Sequence, residues 1–273
     1  MKTKLKVALT FYGQPRYVKN PHILESYRDY YLDRHDCDVF CHLWWGNSNK
    51  FDTSSWAVCE GEMISPDSLD YIKEKFKPVA IKHEEPRSFE FDKSALEYID
   101  GNFTGRKHHP QFGDIWSKKN YSNMLSHLYS IQETSRLALD HIEKTGVHYD
   151  FVALVRYDTI LVDQPNLFLC EQKLHLPCHH DRFPDIVMFY PQKHLYWSSN
   201  VFDDASNVCY NVDSIAAEQF KYHSFKNRFP LSEIQPARMD GHVVRKPNDD
   251  LSKAVCHEHR KKEVWERSKG YYK

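Results

Sequence analysis

Four consecutive apolar residues, Val152 to Val155, lie inside the stretch 150-DFVALVRYDTILVD-163, and the run finishes in Arg156, Tyr157 and Asp158. Side chains alternate across a pleat, so a strand with no polar residue on either side is buried on both faces. Such strands belong to largely parallel sheets covered by helices. A charge placed where such a strand leaves the sheet is either a solubilising end or the rim of a binding site. The second reading has a physical basis, because open α/β sheets take ligands beyond the carboxyl ends of their strands.

The rest of the chain supplies partners for that strand. The segment 5-LKVALTFYGQPR-16 is an apolar run that breaks at Gly13 and Pro15, which reads as a first buried strand and a turn. Residues 22-HILESYRDYYLD-33 have helical spacing and 38-DVFCHLWW-45 is a second strand, so β-α-β opens the chain. Ser65, Pro66 and Asp67 predict a helix start for 66–76, followed by a third strand over 78–85. The region from about 86 to 119 is polar and without steady period, and reads as a long excursion or loop. The best helix is 121-YSNMLSHLYSIQETSRLALDHIEKTG-146, stopped by Gly146, and it delivers the chain into the Val152 strand. Further strands over 173–177 and 185–191, antiparallel candidates, and a helix over 213–227 complete one α/β domain spanning 1–273, with a basic tail at 260–273.

Composition narrows the partners. With 37 Lys+Arg against 38 Asp+Glu the net charge is −1, so no global field draws the chain to nucleic acid or an anionic membrane. The opening MKTKLKVALTFYG has too short an apolar run for a secretory signal, and nothing later approaches the roughly 18 apolar residues of a membrane span, so a cytoplasmic protein without a transmembrane segment is expected. Seven cysteines scattered without a CxxC pair read as reduced thiols. Gly numbers only 9 in 273, which argues against a Gly-rich phosphate loop.

Taken together, 11-FYGQPR-16, 38-DVFCHLWW-45, 124-MLSHLYSIQETSRLAL-139 and 149-YDFVALVRYD-158 form a pattern. It resembles that of a group of bacterial and large-virus glycosyltransferase-like proteins of GT-A (nucleotide-diphospho-sugar transferase) fold, which carry "SGQPR", "DVFIHxWW", "MxSxxYSIxxA" and "YDxVIRxRxD". Asp185, the helix 217-AEQFKYH-223 and Arg245 match later elements of the same pattern. Tyr12 stands where the group has a small residue, and the Val152 strand ends in Arg156-Tyr157-Asp158 rather than in a DxD pair.

The resemblance implies an open, mainly parallel sheet flanked by helices and transfer of a sugar from a nucleotide-diphosphate donor to a hydroxyl of a glycan or glycolipid. It implies that Asp158 ligates Mn²⁺ or Mg²⁺ on the diphosphate, hard cations that take oxygen ligands. On the donor side, Gly13 permits close backbone approach, Gln14 offers an amide, Arg16 pairs with phosphate, and His42 and Trp44 offer ring faces at the end of the second strand. Arg156 either neutralises phosphate or forms an ion pair with Asp158. An inverting transfer needs a carboxylate to take the acceptor proton, for which Asp185 is the candidate ahead of Glu218. The clusters 178-CHH-180 and 256-CHEH-259 lack established zinc spacing, and the pairs 203-DD-204 and 249-DD-250 read as solvated loop charges. Two other readings stay open: a non-catalytic sugar or nucleotide-binding protein on the same fold, and a metal-dependent hydrolase using Asp158, Asp163, Asp185 and the histidines.

Overall fold

β1 (Lys6–Tyr12) alternates its side chains across the sheet: Val7, Leu9 and Phe11 enter one core, Ala8 and Tyr12 the other, and all five are buried. A strand apolar on both sides needs a covering layer on each, and the chain supplies both. The structure, a computed structural model, describes residues 4–46, 64–103, 108–109, 113–114, 118–177, 183, 186–237 and 239–245. After β1 comes α1 (Pro21–Tyr27), whose N-cap Asn20 accepts a hydrogen bond from the His22 N–H. A π-helical turn over Arg28–Leu32 leads into β2 (Asp36–Trp44). α2 (Ser68–Lys75) follows, with Asp67 rather than the expected Ser65 at its N-cap, and then β3 (Ala80–Glu84).

The polar region after β3 differs from the expected loop, because it contains α3 (Lys93–Asn102). The Asp92 side chain accepts from the Ala95 N–H, and Ala95 and Ile99, four residues apart, are buried on one face. Two contacts of that kind sustain a helix of 10 residues yet leave almost no periodic signal in so polar a segment. The two-residue strands β4 (His108–His109) and β5 (Gly113–Asp114) pair beyond it, and α4 (Lys118–Thr145) runs 28 residues across the sheet.

β6 (Phe151–Arg156) is the strand with the charged end, and it finishes at Arg156 as the sequence indicates. The chain turns at Tyr157 and Asp158, and β7 (Thr159–Val162) leaves the main sheet. The remaining elements are β8 (Leu174–Pro177), β9 (Val187–Tyr190), α5 (Leu195–Ser198), α6 (Ala205–Val208), α7 (Ala217–Lys226), β10 (Ile234–Ala237) and β11 (Asp240–Val243). The main sheet has seven strands in the order β10-β8-β9-β6-β1-β2-β3. Only β9 runs against the others: it pairs antiparallel with β6 and β8, whereas the remaining pairs are parallel. The fold is therefore mixed α/β with an open, mainly parallel sheet.

One face of the sheet carries α4, with Leu125, Leu128 and Ile131 buried in the same core as Phe40, Val152 and Leu154. The other carries α1 and α2, where Ile23, Tyr27 and Ile72 pack with Leu9, Phe11 and Val155. β7 lies on this second side, pairs antiparallel with β11, and is tied to α1 by the Leu161 N–H donating to Ser26 Oγ at 3.0 Å. Of the acidic pair, Asp203 is exposed, as expected of a solvated charge, whereas Asp204 is half-buried. Asp203 accepts from Gln132 at 2.9 Å and Arg136 at 2.6 Å, and Asp204 accepts from Arg228 Nη2 at 2.7 Å, which ties the segment before α6 to α4 and α7. Cys37, Cys41, Cys170 and Cys209 are free thiols. Among the described residues no helix is long and apolar enough to cross a membrane. The tail at 260–273, both histidine clusters and Asp249 and Asp250 lie outside the described residues.

Candidate functional site at the carboxyl ends of the central strands

β1, β2, β3 and β6 run in parallel, so their carboxyl ends share one rim of the sheet. In register, Tyr12 faces Arg156, which sets the Gly13 turn beside the charged end of β6. Gly13 has φ +100, a conformation that L side chains rarely adopt, and an added Cβ there would meet nothing within 4 Å. Glycine is required for conformation rather than for space. The Gly13 carbonyl accepts from the Trp44 N–H at 3.1 Å, and its own N–H donates to Ser130 Oγ on α4 at 2.7 Å. The turn is thereby pinned to β2 and to the helix layer. Gln14 and Arg16 are half-buried on the same turn, and Pro15 is buried between them.

Arg16 reaches the residue that ends the β6 turn. Its Nη2 lies 3.0 Å from Asp158 Oδ2, while Arg156 donates from Nε to Oδ1 at 2.8 Å and from Nη2 to Oδ2 at 2.8 Å. The Arg156 contact is the planar two-toothed pairing that a guanidinium makes with a carboxylate. Asp158 is 2% exposed, and Arg16 and Arg156 only 12% and 13%. Burial pushes the Asp158 carboxyl upward, but Arg156, Arg16 and Arg245 outweigh it and hold the group below its ordinary range. Arg245 is brought in by the return of β11: the Val244 N–H donates to the Asp158 carbonyl at 2.8 Å, and the Tyr17 hydroxyl donates to the Arg245 carbonyl at 2.8 Å. The Tyr27 hydroxyl donates to the Arg156 carbonyl at 2.9 Å, which satisfies a backbone group at the point where the strand turns away.

His42 and Trp44 are interior side chains, 0% and 3% exposed, so neither ring is presented at the rim. His42 Nδ1 lies 2.7 Å from the same Ser130 Oγ that accepts from Gly13. Burial pushes the imidazole down to about 3, so it is neutral, and the arrangement that satisfies both contacts has the hydroxyl donating to Nδ1. Trp44 stacks on Tyr129, with ring centroids 5.5 Å apart, and packs edge-on against His42 and Phe89. Ser130 and Tyr17 are the site residues that sequence reasoning missed. Ser130 falls within the helix motif quoted above, but nothing in a serine on a helix signals that it holds a turn 117 residues away.

The structure thus brings together Gly13, Gln14, Arg16, Arg156 and Asp158 from the predicted set, adds Arg245, and places His42 and Trp44 beneath them. Asp185 lies outside the described residues. Glu218 is half-buried in the first turn of α7. Among the described residues, no three His, Cys, Asp or Glu side chains gather as a metal-holding group.

A solved structure, the crystal structure of a glycosyltransferase involved in the glycosylation of the major capsid of PBCV-1, is similar to this chain at 10% sequence identity and a TM-score of 0.37. The similarity covers 86% of this chain and 81% of that one. Likeness at that depth carries no argument about activity. No protein-family model matches the sequence, and no curated protein does. The functional reading therefore rests on the residues at the rim.

Proposed function

We propose that this protein is a glycosyltransferase that binds a nucleoside-diphosphate sugar at the carboxyl ends of β1 and β6 and passes the sugar to a hydroxyl of a glycan or glycolipid. The observation that carries the reading is the pair of guanidiniums, Arg16 and Arg156, held side by side by Asp158 next to the left-handed turn at Gly13. A diphosphate demands fixed positive charge and close backbone approach, and this rim of an open sheet is where such ligands bind. The motifs shared with the GT-A group support the same choice of substrate.

In the transfer, the acceptor oxygen forms a bond to the anomeric carbon as the bond from that carbon to the diphosphate oxygen breaks. The diphosphate leaves with the electron pair, and the acceptor proton passes to a carboxylate. Arg16 and Arg156 stabilise the charge that develops on the leaving oxygen, and the Gly13–Arg16 turn orients the donor. Asp185 is the proposed proton acceptor, and Gln14 the group that meets the base or ribose. A panel of uridine, guanosine and thymidine diphosphate sugars, assayed for release of nucleoside diphosphate with and without mixed glycan acceptors, tests the reading. One donor is expected to turn over faster when acceptor is added. Cleavage indifferent to acceptor points instead to a hydrolase, and no cleavage or transfer of any donor removes the proposal.

A further inference from the structure

The sheet rim holds a carboxylate in the position where the GT-A resemblance implies a divalent metal, yet its surroundings do not fit one. Both Asp158 oxygens already accept N–H groups of Arg156, each at 2.8 Å, Arg16 Nη2 forms an ion pair with Oδ2 at 3.0 Å, and the residue is 2% exposed. Its ionic partners, Arg156, Arg16 and Arg245, are all cations. A hard divalent ion takes six or more oxygen ligands and keeps several waters, so it needs carboxylate oxygens that are open to it. At Asp158 it would displace two charge-assisted hydrogen bonds and an ion pair, and enter among guanidinium charges that repel it.

We propose that Asp158 is the anchor of a guanidinium clamp rather than a metal ligand, and that Arg16 and Arg156, with Arg245 beside them, neutralise the donor diphosphate in place of a divalent cation. The proposal rests on the transferase reading given above and specifies how that site meets its substrate. The clamp is built from three distant parts of the chain. Arg16 comes from the β1 turn, Arg156 from the end of β6, and Arg245 from the segment after β11, which is fastened to the Asp158 backbone through Val244. The carboxylate fixes the plane of the Arg156 fork, and a fork of known plane is what two-point recognition of a phosphate requires. Asp158 is then a positioning residue that acts through the arginines.

The test is calorimetric titration of the parent chain with UDP, GDP and dTDP, each in EDTA and again in excess MnCl₂. One nucleoside diphosphate is expected to bind with the same affinity in both buffers. Arg16→Gln and Arg156→Gln, checked for native circular dichroism, are expected to weaken that binding by at least about tenfold, the effect of losing one charge-assisted contact. Binding that appears only with Mn²⁺ overturns the clamp and leaves the transferase reading standing. Failure of all three nucleotides in both buffers removes the transferase reading and the clamp with it. The parent titrations decide the matter even if a variant does not fold.

Discussion

Asp158 shows what a buried charge requires of its neighbours. Removing one partner of a buried ionic group leaves the others uncompensated, so Asp158→Ala is expected to destabilise the fold by about 3–5 kcal/mol, measured by urea unfolding. A loss under about 1 kcal/mol would mean that the arginines find equal compensation elsewhere, as an exposed pair does. The pH dependence follows from the direction of the shift. The folded carboxyl lies below its ordinary 3.8, so its stabilisation is complete above that value and is lost as pH falls through the folded one. At Gly13 the term is conformational. An alanine there keeps the space but enters a left-handed region, at about 1–2 kcal/mol, and a Gly13→Ala variant as stable as the parent would show that the turn relaxes.

At the scale of elements, α4 acts as the back wall of the site. Ser130 joins the Gly13 turn to His42 on β2, and Ser130→Ala is expected to leave the Gly13 N–H unsatisfied, at about 1–3 kcal/mol in stability. His42 adds an acid sensitivity of its own. A neutral imidazole held down to about 3 favours the fold fully above its ordinary 6.5, and the advantage falls away as pH drops from there. His194, buried and pushed down to about 4, works in the same sense. Stability is therefore expected to decline with acid well before the carboxylates titrate. Unfolding midpoints compared at pH 7.5 and 5 for the parent and His42→Gln test this, and an equal drop in both would exclude His42 as a source. β11 has a different constraint: a Cβ on Gly241 would lie 2.5 Å from Ile186 and 2.6 Å from Thr159. Gly241→Val is expected to dislodge β11 from β7 and carry Arg245 away, seen as weaker nucleotide binding.

For the whole molecule, the site is a product of chain return. Tyr17 and Arg245, 228 residues apart, are hydrogen-bonded, so the β1 turn and the β11 exit close on each other. A ligand held across parts so distant in sequence stabilises the folded chain as a unit. The nucleoside diphosphate that binds is expected to raise the unfolding free energy by about 2.7 kcal/mol at a hundred times its Kd, read from urea curves with and without nucleotide. Absence of any increase at that concentration would mean that the unfolded chain binds the nucleotide equally well.

Local pattern by itself determined the strand and helix layers. The apolar run of β6, the paired periods of β1 and α1, and the long face of α4 are written in residues close together in sequence, and period alone assigns them. The charged end of β6 and the glycine turn after β1 were legible as a candidate site for the same reason. Tertiary structure decided the rest. α3 was hidden because it buries so few residues. The burial of His42 and Trp44 depends on α4 crossing above them, which no stretch of β2 records. Which partner Asp158 takes was likewise undecided until β1, β6 and β11 met. An aspartate offers the same oxygens to a cation as to an arginine, and only the three-dimensional arrangement determines which of them comes within reach.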